Sequence, residues 1–267
     1  MTEKELILTS LLNCRRIDLY VDQKLLTETQ EKALQDILTK RNSGEPLQYI
    51  LGNSEFMGLK LFVDSRVLIP RPETELLVQA VIDYANARKN KFFHILDIGT
   101  GSGNIAIALA KNIASCYISA VDISKEALTV AAQNAKFNSV ENKIEFIRND
   151  SFPFINNPSE EKMFDIIVSN PPYIASGQMN GLPRDVHREP SIALDGGPEG
   201  LDFYRHIIKE APNFLKQKGL LCFEIGDKQK KAIEKIFERY QVFHVVDCIK
   251  DYSGTERIFI AELKNHG

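Results

Sequence analysis

Residues 92–112, FFHILDIGTGSGNIAIALAKN, join an apolar strand pattern, a glycine-rich loop and a helical pattern without any spacer. The strand pattern is FFHILDIG and the helical pattern is NIAIALAKN. Gly99, Gly101 and Gly103 lie between them. Glycines let the backbone turn tightly and approach a ligand closely, at a helix N-terminus where N–H groups are free. The stretch therefore predicts the first strand–loop–helix unit of an open α/β sheet, with a ligand at the loop.

Strand and helix patterns alternate from this stretch to the end of the chain. Such alternation predicts a parallel sheet with helices on both faces. The last two strand patterns are joined by a turn at Ser253-Gly254 and predict an antiparallel pair, which would give the sheet one antiparallel edge strand. The predicted strands are 92–99, 116–123, 143–150, 164–170, 219–226, 242–251 and 257–264. The predicted helices are 104–112, 125–137, 201–217 and 228–240, and Ser124 is predicted to be the N-cap of the helix over 125–137.

The residues before this sheet predict a small helical domain. Thr2 and Glu5 have the spacing of a capping box at the start of a first helix, and Thr27 to Lys40 has the spacing of a second helix. Residues 53–69 alternate as a β-hairpin, and the next helix opens near Pro72. We therefore expect two domains, residues 1–72 with the hairpin as linker and residues 73–267.

Composition is that of a soluble globular protein, with 43% hydrophobic and 26% charged residues among 267. The formal net charge of −3 argues against a broad nucleic-acid surface. No apolar run approaches the roughly 20 residues of a membrane span, and the N-terminus lacks a signal-peptide pattern. Four scattered cysteines and histidines without metal-ligand spacing predict free thiols in the cytoplasm and no metal.

Acidic residues follow three successive strands. Asp97 ends the first, Asp122 the second and Asp150 the third, where Ser151 is next. Strand-end acids at a glycine loop suit ribose hydroxyls, an adenine amine and a cationic tail, so they predict S-adenosyl-L-methionine. Each acid also has a plainer alternative, as a helix cap or a solvated strand end. A dinucleotide fingerprint fails at Asn104, and no phosphate-loop Gly-Lys follows.

The fourth strand stops at Asn170-Pro171-Pro172-Tyr173. Prolines stiffen the chain and cannot donate to a sheet ladder, so the Asn170 amide is held rigidly at a strand end. An amide nitrogen is a poor nucleophile because its lone pair is delocalised. Two acceptors, the Asn170 side chain and the Pro171 carbonyl, could aim such a nitrogen at a methyl donor, with Tyr173 covering the planar group. The alternative is a proline-rich turn capped by a buried Asn.

The motifs together resemble the protein-(glutamine-N5) methyltransferases that act on peptide chain release factors. The resemblance runs from about residue 41 over most of the chain. It rests on RNSGEPLQYILG, LIPRPETELLV, ILDIGTGSGNIAIALA, VDIS, FDIIVSNPPYI, EPSIALDGGPEGLDFYRHII and EIGDKQ. Met57 stands where many members of this family carry an aromatic residue. Ser151 stands where some members carry a larger apolar residue.

This resemblance implies a seven-stranded, Rossmann-like class I methyltransferase domain and an N-terminal helical domain that docks the release factor. The expected substrate is the glutamine of the Gly-Gly-Gln tripeptide, and the expected enzyme is a cytoplasmic monomer that binds no nucleic acid and no membrane. The expected cofactor-binding residues are Asp97, Gly99, Thr100, Gly101, Ser102, Gly103, Asp122, Asp150, Ser151 and Asn170, and the expected substrate-binding residues are Asn170, Pro171, Pro172 and Tyr173.

Three other functions fit parts of the pattern. An adenine-N6 nucleic-acid methyltransferase shares the Asn-Pro-Pro-Tyr tetrapeptide but should carry a recognition domain or a basic groove. A methyltransferase acting on a ribosomal-protein glutamine would differ only in the helical appendage. A non-catalytic adenosine-binding module would have no use for a rigid amide beside the glycine loop.

Overall fold

A computed structural model describes residues 2–21, 25–88, 91–150 and 163–265 of the protein. The helices are α1 Glu3–Leu12, α2 Asp18–Val21, α3 Glu28–Asn42, α4 Leu47–Leu51, α5 Thr74–Asn86, α6 Asn104–Asn112, α7 Lys125–Phe137, α8 Asp202–Glu210 and α9 Lys230–Tyr240. The strands are β1 Asn53–Phe56, β2 Leu59–Phe62, β3 Phe93–Ile98, β4 Cys116–Asp122, β5 Ile144–Arg148, β6 Phe164–Ser169, β7 Leu215–Glu224, β8 Phe243–Lys250 and β9 Glu256–Leu263.

Seven of these strands form one sheet in the order β5-β4-β3-β6-β7-β9-β8. The first five run parallel, and β9 is antiparallel to both of its neighbours. The α/β fold and the seven-stranded sheet are confirmed. The expected antiparallel strand is present, but β9 lies one place inside the edge, and the edge strand β8 runs parallel to the first five.

Two further boundaries differ from the sequence patterns. The helix expected over residues 201–217 ends at Glu210, a 3₁₀ turn covers Ala211–Asn213, and β7 already begins at Leu215. Pro212 explains the early end, because proline has no N–H to continue the helical ladder. Helix α5 begins at Thr74, two residues after Pro72.

Side chains of the central strands alternate between two apolar cores on opposite faces of the sheet. Ile95 of β3 packs in the core formed with α5 and α6, and its neighbour Leu96 packs in the core formed with α8 and α9. Successive strand residues point to opposite faces, so a strand buried on both faces reads as a continuous apolar run. Both residues are fully buried, which explains why FFHILDIG lacks any polar alternation.

Helical caps in the sequence are present where they were predicted. The Thr2 side chain and the Glu5 side chain form the capping box of α1, and the Ser124 hydroxyl accepts from the Ala127 N–H at the start of α7. These bonds satisfy backbone N–H groups that the first helical turn leaves without partners. No helix in the described ranges has the length and apolarity needed to cross a membrane.

The hairpin of β1 and β2 is present, and it pairs over Asn53–Phe62 within the expected residues 53–69. Its outer edge is covered by Asn134, a fully buried residue of α7. The Phe62 N–H donates to Asn134 Oδ1 at 2.7 Å, and Asn134 Nδ2 donates to the Phe62 carbonyl and to the Ser102 carbonyl at 2.9 Å each. One side-chain amide thus replaces a neighbouring strand and also joins the hairpin to the glycine loop.

Replacement of Asn134 by Ala should lower the free energy of unfolding by about 2 to 4 kcal/mol, because buried backbone groups of Phe62 and Ser102 lose their partners. Denaturant titration measures the loss. Asn112→Ala is the matched control, since Asn112 is exposed and its side chain donates, among the described residues, only to the Ala108 carbonyl of its own helix. The control should stay within about 0.5 kcal/mol of the unmodified protein. Equal losses in the two variants would contradict the role given to Asn134.

Candidate active site

A cavity of about 630 Å³ lies at the carboxyl ends of the parallel strands. This is where open α/β sheets bind ligands, next to the place where the strand order reverses. In this sheet the reversal lies between β3, which carries the glycine loop, and β6, which carries Asn170. Six residues from the predicted site line the cavity: Gly99, Gly101, Asp122, Asp150, Asn170 and Pro172.

The glycine loop is held by Asp122 across the β3–β4 pair. Asp122 Oδ2 accepts from the Gly101 N–H at 2.9 Å, and Oδ1 accepts from the Ser124 N–H at 2.9 Å. Burial raises the pKa of Asp122, although these backbone hydrogen bonds oppose the rise. Asp122 lines the cavity, and each of its carboxylate oxygens can accept one further hydrogen bond.

Gly103 has a packing role rather than a place on the cavity wall. Its φ of +82° favours glycine, and a Cβ there would lie 3.0 Å from the Ile107 side chain and 3.1 Å from Ala131 Cβ. The residue is therefore needed where α6 passes close to α7. Thr100 and Ser102 are also buried behind the loop and do not line the cavity.

Asp97 is a fully buried carboxylate behind the glycine loop. Its Oδ2 accepts from the Thr100 hydroxyl at 2.7 Å, whereas Oδ1 has no hydrogen-bond partner among the described residues. The Ala106 N–H favours the charged form without making a hydrogen bond of ordinary geometry. Burial dominates and raises the pKa of Asp97 to about 7. A buried carboxylate oxygen without a partner is unusual, and it marks a group that a ligand could compensate.

Asp150 lines the cavity two residues after β5, which ends at Arg148 rather than at the predicted Asp150. The adjacent prediction, Ser151, lies outside the described residues. The cavity is also lined by Ser65, Val67 and Leu68 of the linker and by Pro190.

Asn170 lies at the end of β6 and is fixed from behind by a chain of buried polar groups. Its Nδ2 donates to Thr74 Oγ1 at 3.1 Å, and the Thr74 hydroxyl donates to Glu224 Oε2 at 2.6 Å. Thr74 and Glu224 are 0% and 1% exposed, respectively. The Asn170 side-chain oxygen makes no hydrogen bond within the described part of the chain, so it is the polar atom left for a ligand.

Tyr173, the last residue of the Asn-Pro-Pro-Tyr tetrapeptide, is hydrogen-bonded to Glu224. Its hydroxyl donates to Glu224 Oε1 at 3.2 Å, and its ring packs against the core with α8 and α9 rather than lining the cavity. Burial raises the pKa of Tyr173 well above its ordinary value, and the negative charge of Glu224 is the second largest cause of the rise. Pro171 is buried as well, and only Pro172 of the two prolines lines the cavity.

Sequence reasoning missed the residues that hold this site together. The sequence analysis assigned no role to Thr74, to Glu224 or to the ion pair of Arg71 with Glu189. Arg71 donates to Glu189 Oε1 at 2.6 Å and the Ile69 N–H donates to Glu189 Oε2 at 3.0 Å, which ties the linker to the chain segment before α8. All four residues lie in IPRPETE, EPSIALDGG or EIGDKQ, so the family motifs were the available signal.

Comparison with known proteins supports the class of the fold. The Methyltransferase small domain matches residues 72–183, and the PrmC N-terminal domain matches residues 2–52. The crystal structure of a methyltransferase from Pyrococcus furiosus superposes with a TM-score of 0.56 at 18% identity, over 90% of this chain and 100% of that one. The fold and the cavity at its strand ends are those of a methyltransferase of the Rossmann-like class.

Two relatives give the family within that class. A release factor glutamine methyltransferase from Thermodesulfovibrio yellowstonii is 38% identical over 261 residues, which are 97% of this chain and 91% of the relative. One from Lactococcus lactis is 43% identical over 234 residues, 87% of this chain and 83% of the relative. The chain belongs to the release factor glutamine methyltransferase family, as its motifs predicted.

The raised pKa of Asp97 predicts a pH dependence of stability. Its folded pKa of about 7 exceeds the unfolded value of about 4, so the folded state binds more protons and loses stability as pH rises between the two. The difference in unfolding free energy between the unmodified protein and Asp97→Asn should therefore fall across this window, by at most about 1.4 kcal/mol per pH unit.

Asp165→Asn is the matched control for this measurement. Burial alone would raise the pKa of Asp165, but Lys91, the His94 N–H and Lys216 outweigh it and lower that pKa. Its contribution is therefore complete above pH about 4 and constant through the same window. A flat difference for Asp97→Asn as well would show that its carboxylate is not held at a raised pKa.

Proposed function

We propose that this protein transfers the methyl group of S-adenosyl-L-methionine to the side-chain amide nitrogen of the glutamine in the Gly-Gly-Gln motif of peptide chain release factors. The observation that carries the proposal is the Asn170 side-chain oxygen, free on the wall of a cavity that the glycine loop also lines. The names of the relatives and the family motifs support the same substrate.

The residues around the cavity fit this cofactor. Asp97 keeps a buried oxygen without a hydrogen-bond partner, which a cationic ligand tail would compensate electrostatically. Asp122 retains lone pairs that can accept from ribose hydroxyls, and Asp150 on the cavity wall can accept from an adenine amine. Gly99 and Gly101 leave backbone room beside the cavity. When bound, the cofactor would supply a methyl group already activated by a sulfonium.

The protein's contribution to the reaction is to bind and orient the glutamine amide. Asn170 Oδ1 and the Pro171 carbonyl, which takes part in no hydrogen bond within the described ranges, can each accept one N–H of the substrate NH₂ group. These bonds strengthen as positive charge develops on the nitrogen, so they stabilise the transition state more than the bound substrate. Positioning should supply most of the rate without a general base.

The N-terminal domain, residues 1–72, is proposed to dock the release factor, and residues 73–267 to carry the chemistry. In its favour, apolar side chains of the helical part are exposed, with Ile17 at 57%, Tyr20 at 69% and Leu25 at 91%. Exposed apolar groups in one region are typical of a protein-binding surface. The proposed enzyme is a monomer and works in the cytoplasm, where its substrate takes part in translation.

The direct test is incubation of the protein with labelled S-adenosyl-L-methionine and purified release factor, followed by peptide mass mapping. The Gly-Gly-Gln peptide should gain the mass of one methyl group, and a release factor with Gln→Asn in that motif should gain none. Parallel reactions with ribosomal proteins and with adenine-containing DNA examine the two alternative substrates. Methylation of either in preference to the release factor would overturn the proposal.

Substitution of Asn170 tests the role of its side-chain oxygen. Asn170→Ala should lower kcat by roughly 10² to 10³, the usual effect of losing one preorganised partner, and leave the affinity for S-adenosylhomocysteine nearly unchanged. Asn170→Asp should be as poor, because its carboxylate would face Thr74 Oγ1, whose hydrogen already points to Glu224. Single-turnover methylation and calorimetry measure both effects. An Ala variant within about threefold of the unmodified enzyme would leave Asn170 as a turn residue only.

A further inference from the structure

The buried chain behind Asn170 has a fixed hydrogen-bond direction. Glu224 accepts from two donors, the Thr74 hydroxyl on Oε2 and the Tyr173 hydroxyl on Oε1. An ionised carboxylate is an acceptor only, so it fixes the Thr74 hydrogen on its own side. Thr74 Oγ1 can then only accept from Asn170, and the Asn170 atom 3.1 Å away must be the NH₂ group. The orientation of the Asn170 amide follows from the charge on Glu224.

We propose that Thr74 and Glu224 are positioning residues that hold the Asn170 amide with its oxygen toward the cavity, so that it accepts from the substrate amide. This rests on the proposed function. A reversed amide would present its NH₂ group to the substrate NH₂ group, and two donors cannot bond each other. The two residues come from α5 and β7, 150 positions apart, and neither lines the cavity.

The environment of Glu224 makes the direction of the hydrogen bonds from Asn170 through Thr74 to Glu224 sensitive to pH. Burial raises the pKa of Glu224 to about 6, and the bonds from Thr74 and Tyr173 oppose the rise. The other groups that face it are Arg257 of β9, which lowers the pKa, and Glu73 before α5, which raises it; the Tyr204 hydroxyl of α8 donates to its backbone carbonyl at 3.1 Å. Once protonated, Glu224 could donate to Thr74, and the direction of the chain would no longer be fixed.

The kinetic test compares Thr74→Val, which keeps the shape and loses the hydroxyl, with Thr74→Ser, which keeps the hydroxyl. Thr74→Val should lower kcat on the release factor by up to about 100-fold, the order expected when a reacting group is displaced by about 1 Å. Thr74→Ser should restore activity to within about threefold, and both should bind S-adenosylhomocysteine within about twofold of the unmodified protein. Thr129→Val is the matched control, since in the part of the chain that the structure describes the Thr129 hydroxyl donates only to the Lys125 carbonyl within α7.

A pH profile separates positioning from a purely structural role. The measurement is made at saturating substrate and cofactor, so that a change in cofactor affinity no longer affects the rate. Under these conditions kcat should fall as pH drops below about 6. Glu224→Gln should be slower at neutral pH and should lack that fall, because its amide has no proton to gain in this range. A variant that merely loosens the fold would keep the unmodified profile.

The side-chain NH₂ resonance of Asn170 in ¹⁵N NMR gives a readout that needs no substrate. The signal is assigned by its loss in Asn170→Ala. It should shift in Thr74→Val, recover in Thr74→Ser and titrate near pH 6 in the unmodified protein.

An enzyme that shows these shifts but does not methylate release factor would refute the proposed function and keep the positioning role. Three results would overturn the positioning role. The Asn170 resonance could be unchanged in Thr74→Val, the kcat of Thr74→Val could lie within about threefold of the unmodified enzyme, or Thr74→Val could lose cofactor affinity in parallel with kcat.

Discussion

The parallel pairing of β3 with β6 is the constraint on which the site depends. Ile98 is the register partner of Ser169, so the residues that follow, Gly99 and Asn170, leave the sheet side by side. Their separation in sequence is long, and only this ladder brings the glycine loop and the rigid amide onto one cavity. Every residue of β6 and every residue of β3 except His94 is buried, with apolar cores on both faces, so the pairing is fixed by packing as well as by hydrogen bonds.

Buried polar groups give the strand ends their rigidity. Asp97, Asp122 and Glu224 all follow or end central strands, and burial raises the pKa of each. Such groups are unfavourable for folding unless they are hydrogen-bonded. Natural proteins accept this kind of destabilisation at functional sites, where an oriented charge or acceptor is needed. In this protein Asp97 and Asp122 hold the glycine loop, and Glu224 holds Thr74, which in turn holds Asn170 at the cavity.

Local patterns in the sequence predicted much of the fold, because their causes are local. The Ser124 cap, the glycine loop and the alternating strands depend on residues a few positions apart. The features that were not predicted are long-range contacts. Thr74 donates a hydrogen bond to Glu224, 150 positions away in sequence, and the position of β9 in the sheet is set by its pairing with β7. The hydrogen bond of Tyr173 is another long-range contact, since its partner Glu224 lies on another strand. The spacing of residues along the chain does not predict such long-range contacts.

The position of β9 also sets an order of opening within the sheet. β8 pairs only with β9, whereas β9 pairs with both β7 and β8. The edge strand can therefore separate while the rest of the ladder stays intact, but β9 cannot leave β7 without removing β8 from the sheet. Exposed side chains along the middle of β8 agree with this order. Amide hydrogens of the edge strand are thus released to solvent by a small local fluctuation, and those of β9 only by a cooperative one.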